Sequence, residues 1–304
     1  MAGSVPGRQA QASPDGAGAA EAQRCGPLAF LRACVWAGWV EYRALRYYPS
    51  NLALAAVQQL TLVGVWYFTA RFFGSAANHA VSAYGGNYVS YVLLGIIFNQ
   101  VGLAALDGPG TTISDAFWDK RLETYHLAAH GIWANVAGRM GFNVLFATVM
   151  QACVLALLLA TGAIHLRHGV HLGIVALTWI LSVAANGGLG LVGASLFFLL
   201  EVKTGQDPVT WAYRYVVMIV SGLYIPLGVL PGWLKALGGV LPQTYTFELA
   251  RATLLTGAGY ADPRVSHALL GLGAAALVTC LCGYALLTHA IRRAQRQGGV
   301  GVVV

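Results

Sequence analysis

The sequence predicts an all-α integral membrane protein, and three observations support that fold class. Six apolar runs are each close to the roughly 20 residues that cross a bilayer as a helix. Charged residues make up only 10% of the 304 residues, against about 25% in soluble proteins, and the mean hydropathy is +0.63. Barrel-type alternation is absent, and hydrocarbon favours segments that satisfy their own backbone groups. The predicted spans are residues 52–73, 88–106, 140–164, 172–200, 211–230 and 268–290.

The distribution of positive charge predicts the orientation of these spans. With the N-terminus in the cytoplasm, 13 of the 18 lysines and arginines lie on the inner side. This bias follows the positive-inside rule and predicts a multi-pass protein of the cell membrane with both termini cytoplasmic. The net charge of +7 is thereby explained without a nucleic-acid partner.

The N-terminal part precedes the first span in two pieces. Residues 1–26 are rich in Ala, Gly, Gln and Pro and contain no apolar signal-peptide core, which predicts a disordered cytoplasmic tail. Residues 28–48 carry indoles and cations along one helical stripe and apolar residues along another, which predicts an amphipathic helix lying in the membrane interface. A helix packed on a soluble partner is the alternative. Pro49 is expected to end it.

The segment 107–139 is the longest polar connection, and its charges predict a cytoplasmic loop. A charge run of this kind is usually a solvated loop. Trp118, Tyr125 and Leu127 are apolar residues that a purely solvated loop disfavours, so we expect the segment to dock a soluble partner.

The segment between the fifth and sixth spans is too hydrophobic for an open loop and too rich in Pro and Gly for a span. It predicts short re-entrant helices in the outer leaflet, with Glu248 and Arg251 facing each other one helical turn apart. The residues predicted to form this outer gate or re-entrant segment are Pro226, Leu230, Pro231, Trp233 and Pro242.

Amide side chains inside the spans are the candidates for a polar pathway, because facing lipid would cost them free energy. Hydrogen bonds between helices are the structural alternative for each of them. The glycines of the fourth span, residues 187, 188, 190 and 193, predict close helix packing. The predicted pathway-lining residues are Gln58, Gln59, Asn99, Gln100 and Asn186.

Two other chemistries have weaker signals in the sequence. Ser195 in the fourth span and His289 in the sixth are the residue types of an intramembrane serine protease, which needs a histidine base beside the serine. His165, His168 and His171 have a spacing that suits a metal, but no acidic or cysteine ligand is nearby, and a polar external turn is favoured. We predict no metal site and no structural disulfide.

The order of these features resembles the permease subunits of the ABC-2 family of ATP-binding-cassette exporters over residues 28–292. The most specific portion is residues 221–234, SGLYIPLGVLPGWL, followed by Leu241-Pro242 and Leu249-Ala250-Arg251. It is similar to the family signature before the last span. Residues 206–211, QDPVTW, are similar to the family's intracellular turn between the fourth and fifth spans.

The resemblance implies a transmembrane domain over residues 27–292, followed by a cytoplasmic tail at 293–304. It also implies an exporter energised by cytoplasmic ATPase subunits that bind ATP and Mg. A second permease copy, or a related permease, would complete the assembly. The chain itself lacks a Gly-Lys-Ser/Thr phosphate loop, because its one Lys-Thr pair, Lys203-Thr204, follows Val202. We therefore expect a transport subunit that is not an enzyme and binds no cofactor of its own.

The family's coupling helix, which contacts the ATPase, maps after the second span. Leu122 and Glu123 match the family's core there, whereas its Gly, Thr and following Thr-Pro are replaced. The resemblance also implies a second intracellular turn, which contains Glu201, Lys203 and Asp207 and is the alternative place for coupling. The cargo is expected to be amphiphilic or lipid-like, with polysaccharide or glycolipid as the alternative. The coupling residues implied are Leu122, Glu123, Thr124, Tyr125, His126 and Leu127.

Overall fold

The protein is a bundle of helices, and its computed structural model describes residues 26–121, 131–167, 169–199 and 208–296. Every regular element in those ranges is helical, which confirms the predicted all-α class. Five helices, α2, α3, α4, α5 and α9, are long and apolar enough to cross a membrane. The helices are α1 (Pro27–Tyr47), α2 (Pro49–Ala77), α3 (Tyr88–Trp118), α4 (Gly131–Ala160), α5 (Leu172–Leu199), α6 (Pro208–Val220), α7 (Gly232–Gly238), α8 (Pro242–Arg251) and α9 (Pro263–Arg296).

The predicted fifth span is wrong as a continuous helix. Helix α6 ends at Val220 after 13 residues, about 20 Å, whereas the hydrocarbon core is about 30 Å thick. Gly222 adopts a left-handed φ of +81°, which turns the chain, and Pro226 precedes a short 3₁₀ turn at Leu227–Val229. The remainder of the apolar run is therefore a compact irregular segment that leads into α7 and α8.

The predicted polar loop at 107–139 is also wrong in its bounds. Helix α3 continues through Pro109 to Trp118, and α4 begins at Gly131 rather than near residue 140. The acidic residues of this extension have partners on other helices: Asp107 binds Arg214, and Asp115 binds Arg139. Residues 122–130 lie outside the described ranges.

Helix α3 lies at the centre of the bundle. In its apolar stretch of 18 residues, 72% is buried, which is the largest share among the five long helices. Its start is capped by the Asn87 side chain, which accepts a hydrogen bond from the Ser90 backbone amide. It packs on α2, α4, α5 and α8, so the side chains that α3 presents meet most of the other elements.

Helix α1 packs along the first half of α4, and Tyr48 separates it from Pro49, as predicted. Gly138 allows the approach, since a Cβ there would lie 2.7 Å from Ala37 Cβ. Arg139 Nε lies 2.6 Å from Glu41 on α1, and its Nη2 lies 2.7 Å from Asp115 on α3. Glycine contact and the shared arginine together fix α1 on one end of the bundle.

Glycines also set the crossing of α5 and α9, the most extensive helix pair. A Cβ at Gly188 would lie 2.6 Å from the backbone of Thr279 and Cys280, and one at Gly283 would collide with the Gly188 carbonyl. The prediction that the fourth apolar run packs closely through its glycines is confirmed at this crossing.

Substitution of two glycines of α9, Gly283 and Gly273, should have different effects on stability. Gly283→Ala should lower the thermal unfolding midpoint in detergent, because overpacking costs about 1–3 kcal/mol. Gly273→Ala, at a position where an added Cβ meets nothing within 4 Å, should raise it or leave it unchanged, since alanine favours helix by about 1 kcal/mol. Equal effects of the two variants would contradict the close α5–α9 crossing.

Candidate functional site

Three glutamines from three long helices form a continuous hydrogen-bonded row. Gln100 of α3 donates to Gln59 of α2 at 3.0 Å, and Gln59 donates to Gln151 of α4 at 3.2 Å. Gln58 and Asn143 lie beside the row and help to line a cavity of about 380 Å³, which we call the glutamine cavity. The structure thus brings together three of the predicted pathway residues: Gln58, Gln59 and Gln100.

The two predicted asparagines lie elsewhere. Asn99 is buried on another face of α3, and Asn186 of α5 donates to the Ser182 carbonyl at 2.7 Å. Asn186 also accepts a long hydrogen bond from the Tyr213 hydroxyl at 3.4 Å. Neither asparagine lines the glutamine cavity, and Asn186 matches the alternative expectation of a plain interhelical hydrogen bond.

Opposite charges meet where the glutamine cavity adjoins a second one. Arg214 Nη2 of α6 lies 2.6 Å and 2.8 Å from the two carboxylate oxygens of Asp107 on α3. Both side chains are partly exposed, Arg214 at 42% and Asp107 at 34%. The second cavity, about 310 Å³, is lined by Thr111, Ser114, Trp211 and Tyr215 in addition to this pair. We call it the ion-pair cavity.

The sequence analysis placed Asp107 and Arg214 in cytoplasmic loops and missed their pairing. Asp107 follows an apolar run of nineteen residues, and Arg214 is the single charged residue of α6. Two lone, opposite charges at the edges of apolar helices were the available signal. What the sequence did not carry was that α6 packs beside α3 at this level.

The irregular turn after α6 is held by one buried arginine. Arg251, 2% exposed, donates from Nε to the Tyr91 carbonyl at 3.0 Å and from Nη1 and Nη2 to the carbonyls of Gly222 and Leu223, each at 2.9 Å. Its guanidinium also lies 3.5 Å from the centre of the Tyr91 ring. The Tyr91 hydroxyl adds a hydrogen bond of 2.8 Å to the Gly222 carbonyl.

Glu248 and Arg251, predicted to face each other one turn apart on α8, line the same cavity but form no ion pair. No ion pair between them lies within 4 Å in the described residues, because the guanidinium faces the backbone carbonyls of the turn. Buried carbonyls at a helix end are costly without a donor, whereas the half-buried Glu248 carboxylate keeps some contact with solvent.

The predicted outer segment does form short helices between the fifth and sixth apolar runs. Pro226 precedes the 3₁₀ turn, Pro231 precedes α7, and Pro242 is the first residue of α8, so each proline lies where a helix begins. Leu230 is half-buried between the first two of these elements, and Trp233 is two-thirds exposed.

A third cavity, about 430 Å³, opens at this outer segment and is lined by Tyr84, Tyr91, Glu248 and Arg251. Burial, with a smaller contribution from the nearby Glu248 carboxylate, raises the pKa of Tyr84 to about 12. Burial also raises the pKa of Glu248, against the lowering effect of Arg264, His267 and Arg251. The cavity therefore holds a neutral phenol next to a carboxyl that protonates more readily than an exposed glutamate.

The described residues form neither the serine protease site nor the metal site that the sequence weakly indicated. The Ser195 hydroxyl is buried and donates to the Val192 carbonyl at 2.6 Å, whereas His289 is exposed. No cluster of three metal-ligating side chains occurs in the described ranges, which include His165 and His171 but not His168. The predicted coupling residues 122–127 and the predicted turn at Glu201, Lys203 and Asp207 lie outside those ranges as well.

Comparisons with known proteins assign no function to these residues. No family model matches the chain, and no curated protein matches it. The function must therefore be argued from the residues and their arrangement.

Loss of the Arg251 side chain should destabilise the protein more than loss of the neighbouring phenol. Arg251→Met removes three hydrogen bonds and leaves the buried Leu223 carbonyl without its donor, which costs about 1–3 kcal/mol by itself, whereas Tyr91→Phe removes one hydrogen bond. We expect Arg251→Met to reduce the yield of monodisperse protein and the unfolding midpoint well below those of Tyr91→Phe. Gly95→Ala, whose Cβ would lie 2.5 Å from Nη2, should have an intermediate effect.

Proposed function

We propose that this chain is the membrane-spanning permease subunit of an ATP-binding-cassette exporter of the ABC-2 type. The observation that carries the proposal is the interrupted fifth apolar run, in which α6 stops at Val220 and two short helices precede the last long helix. The motif residues Pro226, Pro231 and Pro242 lie at the boundaries of those elements. An interfacial helix, four long helices and this segment then follow the family's order.

The proposed topology has six crossings with both termini in the cytoplasm. Helix α6 supplies about 20 Å of the fifth crossing, and the turn held by Arg251 supplies the rest. Irregular backbone at membrane depth is tolerated only where protein surrounds it and satisfies its polar groups. Gly222 and Leu223 meet that condition, since both are buried and both carbonyls accept from Arg251.

Helix α1 is proposed to lie in the cytoplasmic membrane interface, in contact with lipid headgroups. Trp36 and Trp39 are 66% and 48% exposed on it, and aromatic side chains of this kind favour the headgroup region. Its attachment to the start of α4 through Arg139 keeps the helix at the end of the bundle that carries the most positive charge.

The proposed cargo is amphiphilic. The glutamine row supplies hydrogen-bonding groups for a polar part, and the lipid-facing surface of α2 around the cavity supplies apolar contact, with Leu54 and Val57 well exposed. Polysaccharide or glycolipid stays the alternative cargo. A second permease copy, or a related permease, and cytoplasmic ATPase subunits that bind ATP and Mg complete the proposed assembly.

Coupling to the ATPase is proposed for Leu122, Glu123, Thr124, Tyr125, His126 and Leu127, with Glu201, Lys203 and Asp207 as a second contact. The support is the sequence match at Leu122 and Glu123 and the place of both segments in the sequence, between α3 and α4 and between α5 and α6. The connection after α3 and the one before α6 are on the same side in the proposed topology.

The topology is testable by labelling single cysteines in a variant that lacks the five natural ones. Asp119→Cys, after α3, should react with a membrane-impermeant maleimide only once cells are opened. His79→Cys, in the connection between α2 and α3, should react in intact cells. Both side chains are exposed, so accessibility depends on the side of the membrane. The reverse labelling pattern would overturn the proposed orientation.

The coupling assignment is testable with a matched pair of double variants. Leu122→Ala with Tyr125→Ala should abolish co-purification of an ATP-hydrolysing subunit, because truncating a buried interface anchor costs upwards of about 1 kcal/mol. The ATPase activity recovered with the tagged permease would be measured.

Leu237→Ala with Tyr260→Ala is the control, since it truncates one leucine and one tyrosine at exposed positions, on α7 and between α8 and α9. It should leave ATPase recovery unchanged. Full recovery with both double variants, together with loss in Lys203→Ala with Asp207→Ala, would move the coupling site to the second turn. Absence of any ATPase with the wild-type chain would count against the exporter proposal itself.

A further inference from the structure

The pair of Asp107 and Arg214 leaves most of the arginine's hydrogen-bonding capacity unused. Both carboxylate oxygens are bound by the same nitrogen, Nη2, rather than by the two-nitrogen fork that arginine offers to a carboxylate. Nε and Nη1 have no partner in the part of the chain that the structure describes. Three N–H groups of a partly exposed guanidinium thus remain available for another acceptor.

Further donors surround Arg214 in the ion-pair cavity. Ser114 of α3 brings a hydroxyl group, and Trp211 and Tyr215, on the same helix as Arg214, bring an indole N–H and a phenol. The Thr111 hydroxyl already donates to backbone carbonyls of α3. Trp211 and Tyr215 are each about half exposed, with ring centroids 4.7 Å apart. One cation, several donors and two ring faces suit a tetrahedral oxyanion attached to an apolar body.

The depth of the cavity matches that of a lipid headgroup. Asp107 lies 19 residues along α3 from Tyr88, about 28 Å, while the hydrocarbon core is about 30 Å thick. Arg214 lies six residues after the start of α6. Under the proposed topology, both charges are at the inner boundary of the bilayer.

We propose that the ion-pair cavity is a binding site for the phosphate group of an anionic amphiphile. Arg214 holds the phosphate through its Nε and Nη1 groups, and Asp107 neutralises Arg214 when the site is empty. An arriving phosphate competes with the Asp107 carboxylate for the guanidinium, because the two anions repel each other across it. Occupation thereby weakens the link between α3 and α6. The role in transport rests on the proposed function, whereas the binding site itself does not.

The competition predicts opposite effects for the two members of the ion pair. Arg214→Gln should weaken binding of the phosphate about tenfold or more, since it removes the charged donors. Asp107→Asn should strengthen binding about threefold or more, since it removes the competing anion at unchanged shape. A purely structural ion pair would make the two variants equivalent.

The experiment measures equilibrium binding of phosphorus-32-labelled dihexanoyl phosphatidic acid to the full-length protein in a non-ionic maltoside detergent. Arg139→Gln is the charge-matched control, because Arg139 is already shared by Glu41 and Asp115, and it should bind like wild type. Should Arg214→Gln fail to fold, the double variant Asp107→Asn with Arg214→Gln keeps a neutral pair and is expected to lose binding while remaining monodisperse.

Unlabelled competitors distinguish the sources of the phosphate. Dihexanoyl phosphatidic acid competing more strongly than glycerol 3-phosphate or inorganic phosphate supports an amphiphile; equal competition by inorganic phosphate assigns the site to a soluble anion and overturns the amphiphile. Dihexanoylglycerol competing as well as phosphatidic acid overturns the phosphate site. Equal weakening by Arg214→Gln, Asp107→Asn and Arg139→Gln overturns it too. No ATPase is present, so failure here is separate from failure of the exporter proposal.

Discussion

The hydrogen bonds from Arg251 to the turn after α6 are the constraint on which the end of the bundle that contains α7 and α8 depends. A helix that stops inside the bundle exposes carbonyl groups with no water to bind them. Arg251 supplies donors to Gly222 and Leu223 and also to Tyr91 on α3, so one side chain joins α8, the turn and the central helix. Gly95 leaves the space that the guanidinium occupies. The position of α7, α8 and the outer cavity follows from this single junction.

Helix α3 provides a partner for three arginines that come from three other helices. Its Tyr91 carbonyl meets Arg251 near one end, Asp107 meets Arg214 further along, and Asp115 meets Arg139 near the other end. A buried or half-buried charge without such a partner would be costly. This explains why the most enclosed helix also carries two acidic residues, and why it extends three turns beyond its apolar run.

The glutamine row and the Asp107–Arg214 pair lie next to each other in the interior and differ in chemistry. Amides that bind one another, as Gln59, Gln100 and Gln151 do, can exchange these bonds for bonds to a ligand at small cost. The Asp107–Arg214 pair adjoins that row and is stronger, so it acts as a boundary between the two cavities. Arg139, in contrast, is engaged by acids from two helices and has a structural role at the end of the bundle.

The sequence by itself determined the helical class, the five long helices, the first helix and the short helices before α9. These features depend on apolar length, proline positions and helical periodicity, which are local properties. It also indicated the glutamines and glycines that meet between helices, since polar and small residues in apolar runs have few other uses. The end of α6, the extension of α3 and the partners of Arg251, Asp107 and Arg214 were decided by tertiary structure. A charged residue marks the end of an apolar run but not the end of a helix, and α3 continues beyond its run with both acids paired to other helices. A carbonyl at a helix break is acceptable only where folding brings a donor. Those conditions join residues more than a hundred positions apart, as with Asp107 and Arg214, and no local pattern contains them.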